Sequence, residues 1–221
     1  MIAKDLISGE IPYLRTHDSG QKALSLMEEF RVSHLPIIEN KSFLGLISDS
    51  DIYDLNRRDE EIGNLKLSLL SPFVYADQHI YEIISIVSRL KLSLIPVLKR
   101  NKEFIGVISL ITLVHQFNRL LAIGQPGGII VLELNLNDYV LSEIAQIIES
   151  NDAKILSLYV TTPEESMKML VTIKINRLDL SPILQTFERY NYDIKFTIME
   201  GEEMNNFLEF RYEEFMKYLS I

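Results

Sequence analysis

The chain has 221 residues, 47% of them hydrophobic, and a formal net charge of −9, so it can bury a substantial core and does not favour binding to a phosphate backbone. No stretch is apolar for long enough to span a membrane, and the lack of cysteine excludes disulfides, thiol catalysis and thiolate metal sites. The first residues carry no apolar run of signal-peptide length. We therefore expect a cytoplasmic protein that binds neither nucleic acid nor membrane.

The first 60 residues predict the element order strand, helix, strand, strand, helix. An extended piece near Ile11–Leu14 precedes a helix that Asp18 or Ser19 caps. Two short apolar strands follow, at 35–38 and 43–47, and a second helix begins at Ser48.

The same order then returns as an internal repeat. Residues 80–90 form the next amphipathic helix, and 95–98 and 104–108 the next pair of strands. The matching residues are first 60 and then, after a one-residue insertion, 61 positions apart; they are Ser8 and Ser68, Pro12 and Pro72, Ser33 and Ser93, Pro36 and Pro96, and Gly45 and Gly106. Two similar units of this size are expected to pack against each other and leave a ligand cleft between them.

Glycine and proline at 124–128 mark the end of the second copy and a linker. The negative charge lies mainly beyond it, because residues 127–221 hold 8 basic and 16 acidic side chains against 14 and 15 in residues 1–126. Residues 129–200 predict a βαββαβ order, which is that of a ferredoxin-like unit. Residues 201–221 have apolar side chains at helical spacing and predict a terminal amphipathic helix.

The most specific local motif is Gly45-x-x-Ser48-x-x-Asp51, at the point where a strand gives way to a helix. The free N–H groups of a helix N-terminus favour an anion, and the Ser48 hydroxyl could donate to it. Asp51 could accept hydrogen bonds from a ribose diol. The same pair is also a capping-box variant that needs no ligand.

Together with the repeat, these motifs resemble a tandem pair of cystathionine-β-synthase (CBS) domains. The resemblance rests on the early Ser-x-x-x-Pro, on Val32-Ser33-His34-Leu35-Pro36 and on Gly45-x-x-Ser48-x-x-Asp51, each with a counterpart in the second copy. It implies an α+β fold with a tandem CBS pair at 1–124 (copies at about 2–58 and 62–122), a linker at 125–128, a ferredoxin-like βαββαβ domain of ACT type at 129–200 and a C-terminal amphipathic helix at 201–221.

The resemblance also implies a non-enzymatic regulatory protein with an adenosine-containing ligand: AMP, ADP, ATP, S-adenosylmethionine or a cyclic dinucleotide. No cofactor is required. In the family each cleft is built crosswise from both copies. The Asp51 cleft would use Ser48, Asp51, Ser68, Leu92, Ser93 and Leu94, and the Ser109 cleft would use Ser8, Val32, Ser33, His34 and Ser109. Thr112 stands where the second copy would carry the aspartate, so we expect the Asp51 cleft to be the better site.

The βαββαβ unit resembles an ACT domain in topology, and the whole order is similar to acetoin-utilisation-type CBS–ACT proteins. The Pro-Gly of the usual ACT ligand loop is absent from the segment Asn135–Ser142. The resemblance further implies a homodimer and an unidentified downstream protein. Two alternatives remain: a ligand-free dimerisation scaffold, and an amino-acid sensor that acts through the ACT-like domain. No catalytic constellation and no metal spacing is found among the four histidines.

Overall fold

The computed structural model describes residues 1–9, 11–55, 59–64, 71–162 and 168–199. Ser68 and residues 201–221 lie outside the described residues, as do residues 163–167. The chain divides into two compact units, the first being Met1–Gln116 and the second beginning at Phe117.

The first unit contains both sequence copies with the predicted order of elements. The first copy has α1 (Gly20–Phe30), β1 (His34–Glu39), β2 (Ser42–Ser48) and α2 (Asp49–Leu55). The second has β3 (Val74–Tyr75), α3 (Ile80–Leu90), β4 (Leu94–Leu98), β5 (Phe104–Ser109) and α4 (Leu110–Leu120). Short 3₁₀ turns lie at Ala3–Leu6 and Ile62–Asn64.

Local sequence explains how these helices begin and end. Ser19 caps α1 by accepting the Lys22 N–H at 3.3 Å, while Asp18 accepts the Arg15 N–H and the Lys22 ammonium instead. Arg31 ends α1 in the left-handed conformation, with φ 53°. Lys91 ends α3 in the same conformation at the matching position.

The two copies have the same strand pairing. β1 pairs antiparallel with β2, and β4 pairs antiparallel with β5; each hairpin has one irregularity in register, at 37–38 and at 97–98. In the first copy Leu14 forms a parallel bridge to Ile37, as β3 does to β4 in the second. The repeat found in the sequence is therefore also a repeat of backbone pairing.

Both copies contribute to one hydrophobic core. Fully buried side chains from the first copy pack in the same cluster as those of the second; among them are Leu35, Ile37, Ile47, Ile52, Ile80, Ile83, Leu94, Ile95 and Ile108. The N-terminal segment joins the second copy, because the Ser8 N–H donates to the Val107 carbonyl at 2.8 Å and the Lys4 N–H to that of Ala76 at 3.0 Å. The N-terminal segment of the first copy is thus hydrogen-bonded to the second copy.

The second unit consists of β6 (Ile129–Asn135), α5 (Leu141–Ser150), β7 (Ile155–Thr161), β8 (Lys168–Ile175), α6 (Ser181–Arg189) and β9 (Asp193–Ile198). The sheet order is β7-β8-β6-β9, and all its pairs are antiparallel. This is the arrangement of a ferredoxin-like split βαβ unit. Its own core packs both helices on one face of the sheet, with Ile144, Ile148, Ile183 and Phe187 against Leu132 and Ile173.

Candidate functional site

The junction between β2 and α2 forms a reciprocal cap. The Ser48 backbone N–H and hydroxyl both donate to Asp51 Oδ2, at 2.8 and 2.7 Å, and the Asp51 N–H donates to Ser48 Oγ at 3.1 Å. The two residues of the motif are brought together as the sequence predicts. Their first role is to close the N-terminus of α2, which is the capping alternative. Asp51 Oδ1 makes no hydrogen bond within the described part of the chain.

The junction between β5 and α4 holds three hydroxyl groups from both copies. Ser8 Oγ lies 2.7 Å from Thr112 Oγ1, and Ser109 Oγ lies 2.8 Å from the same atom. The Thr112 N–H donates to Ser109 Oγ at 3.2 Å, so Ser109 caps α4. Ser8 and Ser109, assigned to one cleft from the sequence, are thus close neighbours in space, although 101 residues separate them.

A third polar group lies where β1 of the first copy meets the start of β4 of the second. The Ser33 N–H donates to Ser93 Oγ at 3.0 Å. The same oxygen lies 3.0 Å from His34 Nδ1, and the Ser93 N–H donates to that nitrogen at 3.3 Å. We call these three residues the seam, because they join the two copies between the two helix junctions.

A cavity of about 800 Å³ opens beside the Ser109 junction. Three of the five residues assigned to the Ser109 cleft line it, namely Ser8, Val32 and Ser109. Ser93, Thr112 and Arg31 line it as well, and the rest of its wall is mainly apolar. Its volume lies within the 300–1,000 Å³ of typical small-molecule sites.

A second cavity, of about 170 Å³, lies beside the Asp51 junction. Of the residues assigned to the Asp51 cleft, Ser48, Asp51 and Leu92 line it. Ser68 lies outside the described residues, and Leu94 is fully buried in the core. The remaining described lining residues are His34, Leu46, Pro72 and Leu90.

The structure therefore places two seam residues differently from the sequence assignment. Ser93, assigned to the Asp51 cleft, lines the cavity beside Ser109, and His34, assigned to the Ser109 cleft, lines the cavity beside Asp51. The exchange has a physical cause, because the two side chains point towards each other: Ser93 Oγ lies 3.0 Å from His34 Nδ1. Ser33 lines neither of these two cavities; it lines a third, of about 460 Å³, together with Arg31 and Asp49.

The two junctions differ in charge. α2 begins with Asp49 and Asp51, whereas the matching positions of α4 are Leu110 and Thr112. Arg31 is the one charged side chain among the described residues that line the 800 Å³ cavity. An anion at the N-terminus of α4 would meet a favourable helix dipole and a guanidinium, while one at α2 would meet two carboxylates.

Sequence reasoning did not single out Arg31. Arg31 lies at the left-handed end of α1 and lines the cavity, and sequence spacing alone does not reveal that position.

The second unit carries a separate cavity of about 520 Å³, where β6 ends and α5 begins. It includes Asn135 and Val140 of the segment compared with the ACT ligand loop. Glu133 lines it and accepts from Lys168 and Lys195 at 2.8 and 2.9 Å, and these two hydrogen bonds lower the pKa of Glu133 to about 2.

The same cavity has a second polar wall, where the Tyr192 hydroxyl donates to Glu143 Oε2 at 2.9 Å. Burial, reinforced by that hydrogen bond and by the nearby carboxylate, raises the pKa of Tyr192 to about 12.

Among the described residues, no group of three or more His, Asp or Glu side chains could hold a metal ion. Within the same part of the chain, no helix combines the length and apolar character needed to cross a membrane.

Comparison with known proteins identifies the first unit. The family model "CBS domain" matches residues 3–57 and again residues 71–118, so the chain contains tandem CBS domains. The match covers both helix junctions and the seam.

Three solved structures that resemble this chain each share 19% sequence identity with it. An acetoin utilization protein (AcuB) from Vibrio cholerae has a TM-score of 0.50, with 56% of this chain and 95% of that one covered. A CBS domain pair/ACT domain protein from Thermotoga maritima has a TM-score of 0.48, with 53% and 96% covered. CBSX2 in complex with AMP has a TM-score of 0.48, with 56% and 98% covered. The likeness spans about half of this chain.

Proposed function

We propose, from the premise that residues 3–57 and 71–118 form tandem CBS domains, which are regulatory and non-catalytic modules, that this protein is a sensor of an adenosine-containing nucleotide. The observation that carries the proposal is the 800 Å³ cavity, whose wall joins Ser8 of one copy to Ser109 of the other. A ligand in a cavity built from both copies can change their packing, and this is what a regulatory module requires.

The composition of the cavity wall supports a nucleotide over an uncharged nucleoside. Apolar side chains, among them Ile11 and Val32, offer a surface for a base. The Ser8, Ser109 and Thr112 hydroxyls form two mutual hydrogen bonds, which leaves one of their three protons for a phosphate at the N-terminus of α4. Arg31 adds a positive charge, and its side chain is exposed enough to meet a ligand from solvent.

This argument favours the Ser109 cleft over the Asp51 cleft for an anionic ligand. The cavity beside Asp51 measures about 170 Å³, and Ser68, which was assigned to the same cleft, lies outside the described residues. Asp51 Oδ1 could still receive a ribose hydroxyl there, but the carboxylates of Asp49 and Asp51 disfavour an anion at the N-terminus of α2. The expectation from the sequence that the Asp51 cleft is the better site rested on the Asp51 carboxylate alone.

The test is a thermal-shift and calorimetric screen of AMP, ADP, ATP, S-adenosylmethionine, cyclic dinucleotides and adenosine. A real ligand at about 100 times its Kd stabilises the folded state by roughly 2.7 kcal/mol. Arg31→Gln should weaken a phosphate-bearing ligand about tenfold, which is the scale of one exposed charged hydrogen bond, and should leave adenosine unaffected. Lys91→Gln, at the matching position of the second copy, is the control.

A screen in which no adenine compound stabilises the protein would refute the sensor and favour the ligand-free scaffold. Equal losses for Arg31→Gln and Lys91→Gln would refute the placement of the phosphate while leaving the sensor standing.

A second candidate function follows from the 520 Å³ cavity of the second unit. If that unit is an ACT-type domain, this cavity lies at the segment where such a domain would hold an amino acid. Stabilisation by a free amino acid that Arg31→Gln does not alter would favour it.

We also propose a homodimer. α4 exposes a row of apolar side chains on one face, including Leu110, Val114 and Phe117, which are 48%, 53% and 36% exposed. Such a row is typical of a helix that packs against another surface. A concentration-independent monomer in sedimentation would refute the dimer. The cytoplasmic location and the downstream protein stay predictions.

A further inference from the structure

The hydrogen bonds of His34, one of the three seam residues, require an unprotonated Nδ1 atom. His34 Nδ1 faces two donor groups of Ser93, the backbone N–H at 3.3 Å and the hydroxyl at 3.0 Å. That hydroxyl oxygen already accepts the Ser33 N–H at 3.0 Å, which leaves its own proton free to point at the ring. Nδ1 must therefore carry a lone pair, and the proton of the neutral ring is on Nε2.

Protonation of the ring is incompatible with this arrangement. A proton on Nδ1 would point at the Ser93 N–H, so two donors would face each other. The Ser93 hydroxyl could rotate and accept the new proton, but the backbone N–H cannot reverse its direction. It would lose its partner at a half-buried position, which is unfavourable.

We propose that the His34–Ser93 contact is a proton-sensitive latch between the two CBS copies, closed when the imidazole is neutral and weakened when it is protonated. The proposal does not require a nucleotide. The latch occurs once, since the residue that matches His34 in the second copy is Leu94, which is fully buried and cannot titrate.

The charged groups that act on His34 belong to the first copy. Asp49 and Asp51, in the first turn of α2, are the two carboxylates that act on it, and they favour the protonated ring. The described residues that face it from the second copy, Ser93, Leu90 and Leu92, do not titrate. Removal of the ring from water opposes protonation and is the larger effect, so the pKa of His34 lies below its ordinary value.

The sign of the pH dependence follows from that direction. Because the folded protein binds the proton less readily than the unfolded chain, the contribution of the latch is complete well above the ordinary histidine pKa of about 6.5. It is lost as the pH falls through the lowered pKa of the folded state.

The test uses the full chain and two NMR measurements. The imidazole ¹⁵N shifts should show the Nε2–H tautomer at neutral pH. The Ser93 amide should be protected from hydrogen exchange. After correction for the intrinsic rate, it should lose protection by up to about tenfold per pH unit as the pH falls from about 6.5 to the lowered pKa of His34, and the loss should level off below that pKa.

Two variants separate the latch from general acid effects. His34→Gln keeps an acceptor for the Ser93 N–H and cannot be protonated, so its Ser93 protection should not vary over the same pH range. His115→Gln, which changes an exposed histidine on α4, should behave as wild type. An Nδ1–H tautomer at neutral pH would overturn the proposal, and so would the same pH dependence in wild type and His34→Gln.

Discussion

Substitution of Gly106 by alanine should destabilise the first unit and disturb the Ser109 cleft together. Gly106 lies in β5 with φ +149°, a conformation that side chains other than glycine rarely adopt. A Cβ atom added there would lie 2.4 Å from the Ile7 Cγ2 atom. Ile7 precedes Ser8, whose hydroxyl contacts Thr112, so relief of the clash must move part of the cavity wall.

The magnitude follows from two separate effects. A residue forced into a glycine-only backbone conformation costs about 1–3 kcal/mol. An overpacked contact adds about 1–3 kcal/mol, here at the lower end because the half-buried Ile7 side chain can rotate. A total near 3 kcal/mol corresponds to a fall in Tm of roughly 6–12 °C for a chain of this size.

The assay is thermal and urea unfolding followed by circular dichroism, with Gly9→Ala as the matched control. Gly9 lines the same cavity, but a Cβ atom added there would meet nothing within 4 Å. Its substitution should change stability by less than about 0.5 kcal/mol. Adding Ile7→Ala to Gly106→Ala should recover the part of the lost stability that the clash causes and leave the part that the backbone conformation causes. Equal stability of Gly106→Ala and Gly9→Ala would refute this reasoning.

Two further predictions concern carboxylates. Asp51→Ala should cost about 1 kcal/mol in urea unfolding without any ligand, and Ser48→Ala should add little to it, because the two side chains form one cap; additive losses would contradict the shared cap. For Glu133, hydrogen bonds from Lys168 and Lys195 hold the pKa at about 2, so its contribution to stability is present above the ordinary value and is lost as the pH falls from there towards about 2. The stability difference between wild type and Glu133→Gln should shrink over that range, and a constant difference would contradict it.

The repeat made the fold of the first unit predictable. A shared period of 60 residues fixed which strands are equivalent, and their apolar character fixed which are buried. Even the register irregularity of β1 recurs in β4 at the matching position. The alternation of strands and helices likewise gave the order of elements in the second unit. These features depend on local pattern, which a single sequence carries.

The residues of each cleft were harder to assign, because tertiary packing decides them. The resemblance to a CBS pair placed Ser8 with Ser109, but it assigned His34 and Ser93 each to the cavity that the other one lines. Their side chains form a hydrogen bond where the two copies meet, and each residue therefore lines the cavity to which the other was assigned. Arg31 was missed for a similar reason, since tertiary packing decides which cavity it lines.

The asymmetry between the two copies follows from a few side-chain differences within a shared backbone. Both helix junctions have a serine cap whose Oγ accepts the N–H of the residue three positions on, and both helices direct the positive end of their dipole at a ligand. At α2 the first turn adds Asp49 and Asp51, whose negative charges repel an anion. At α4 the matching residues are neutral, and Arg31 lies across the cavity. Two clefts related by an internal repeat are thus electrostatically unequal, and we expect a phosphate-bearing ligand to prefer the one that lacks the aspartate.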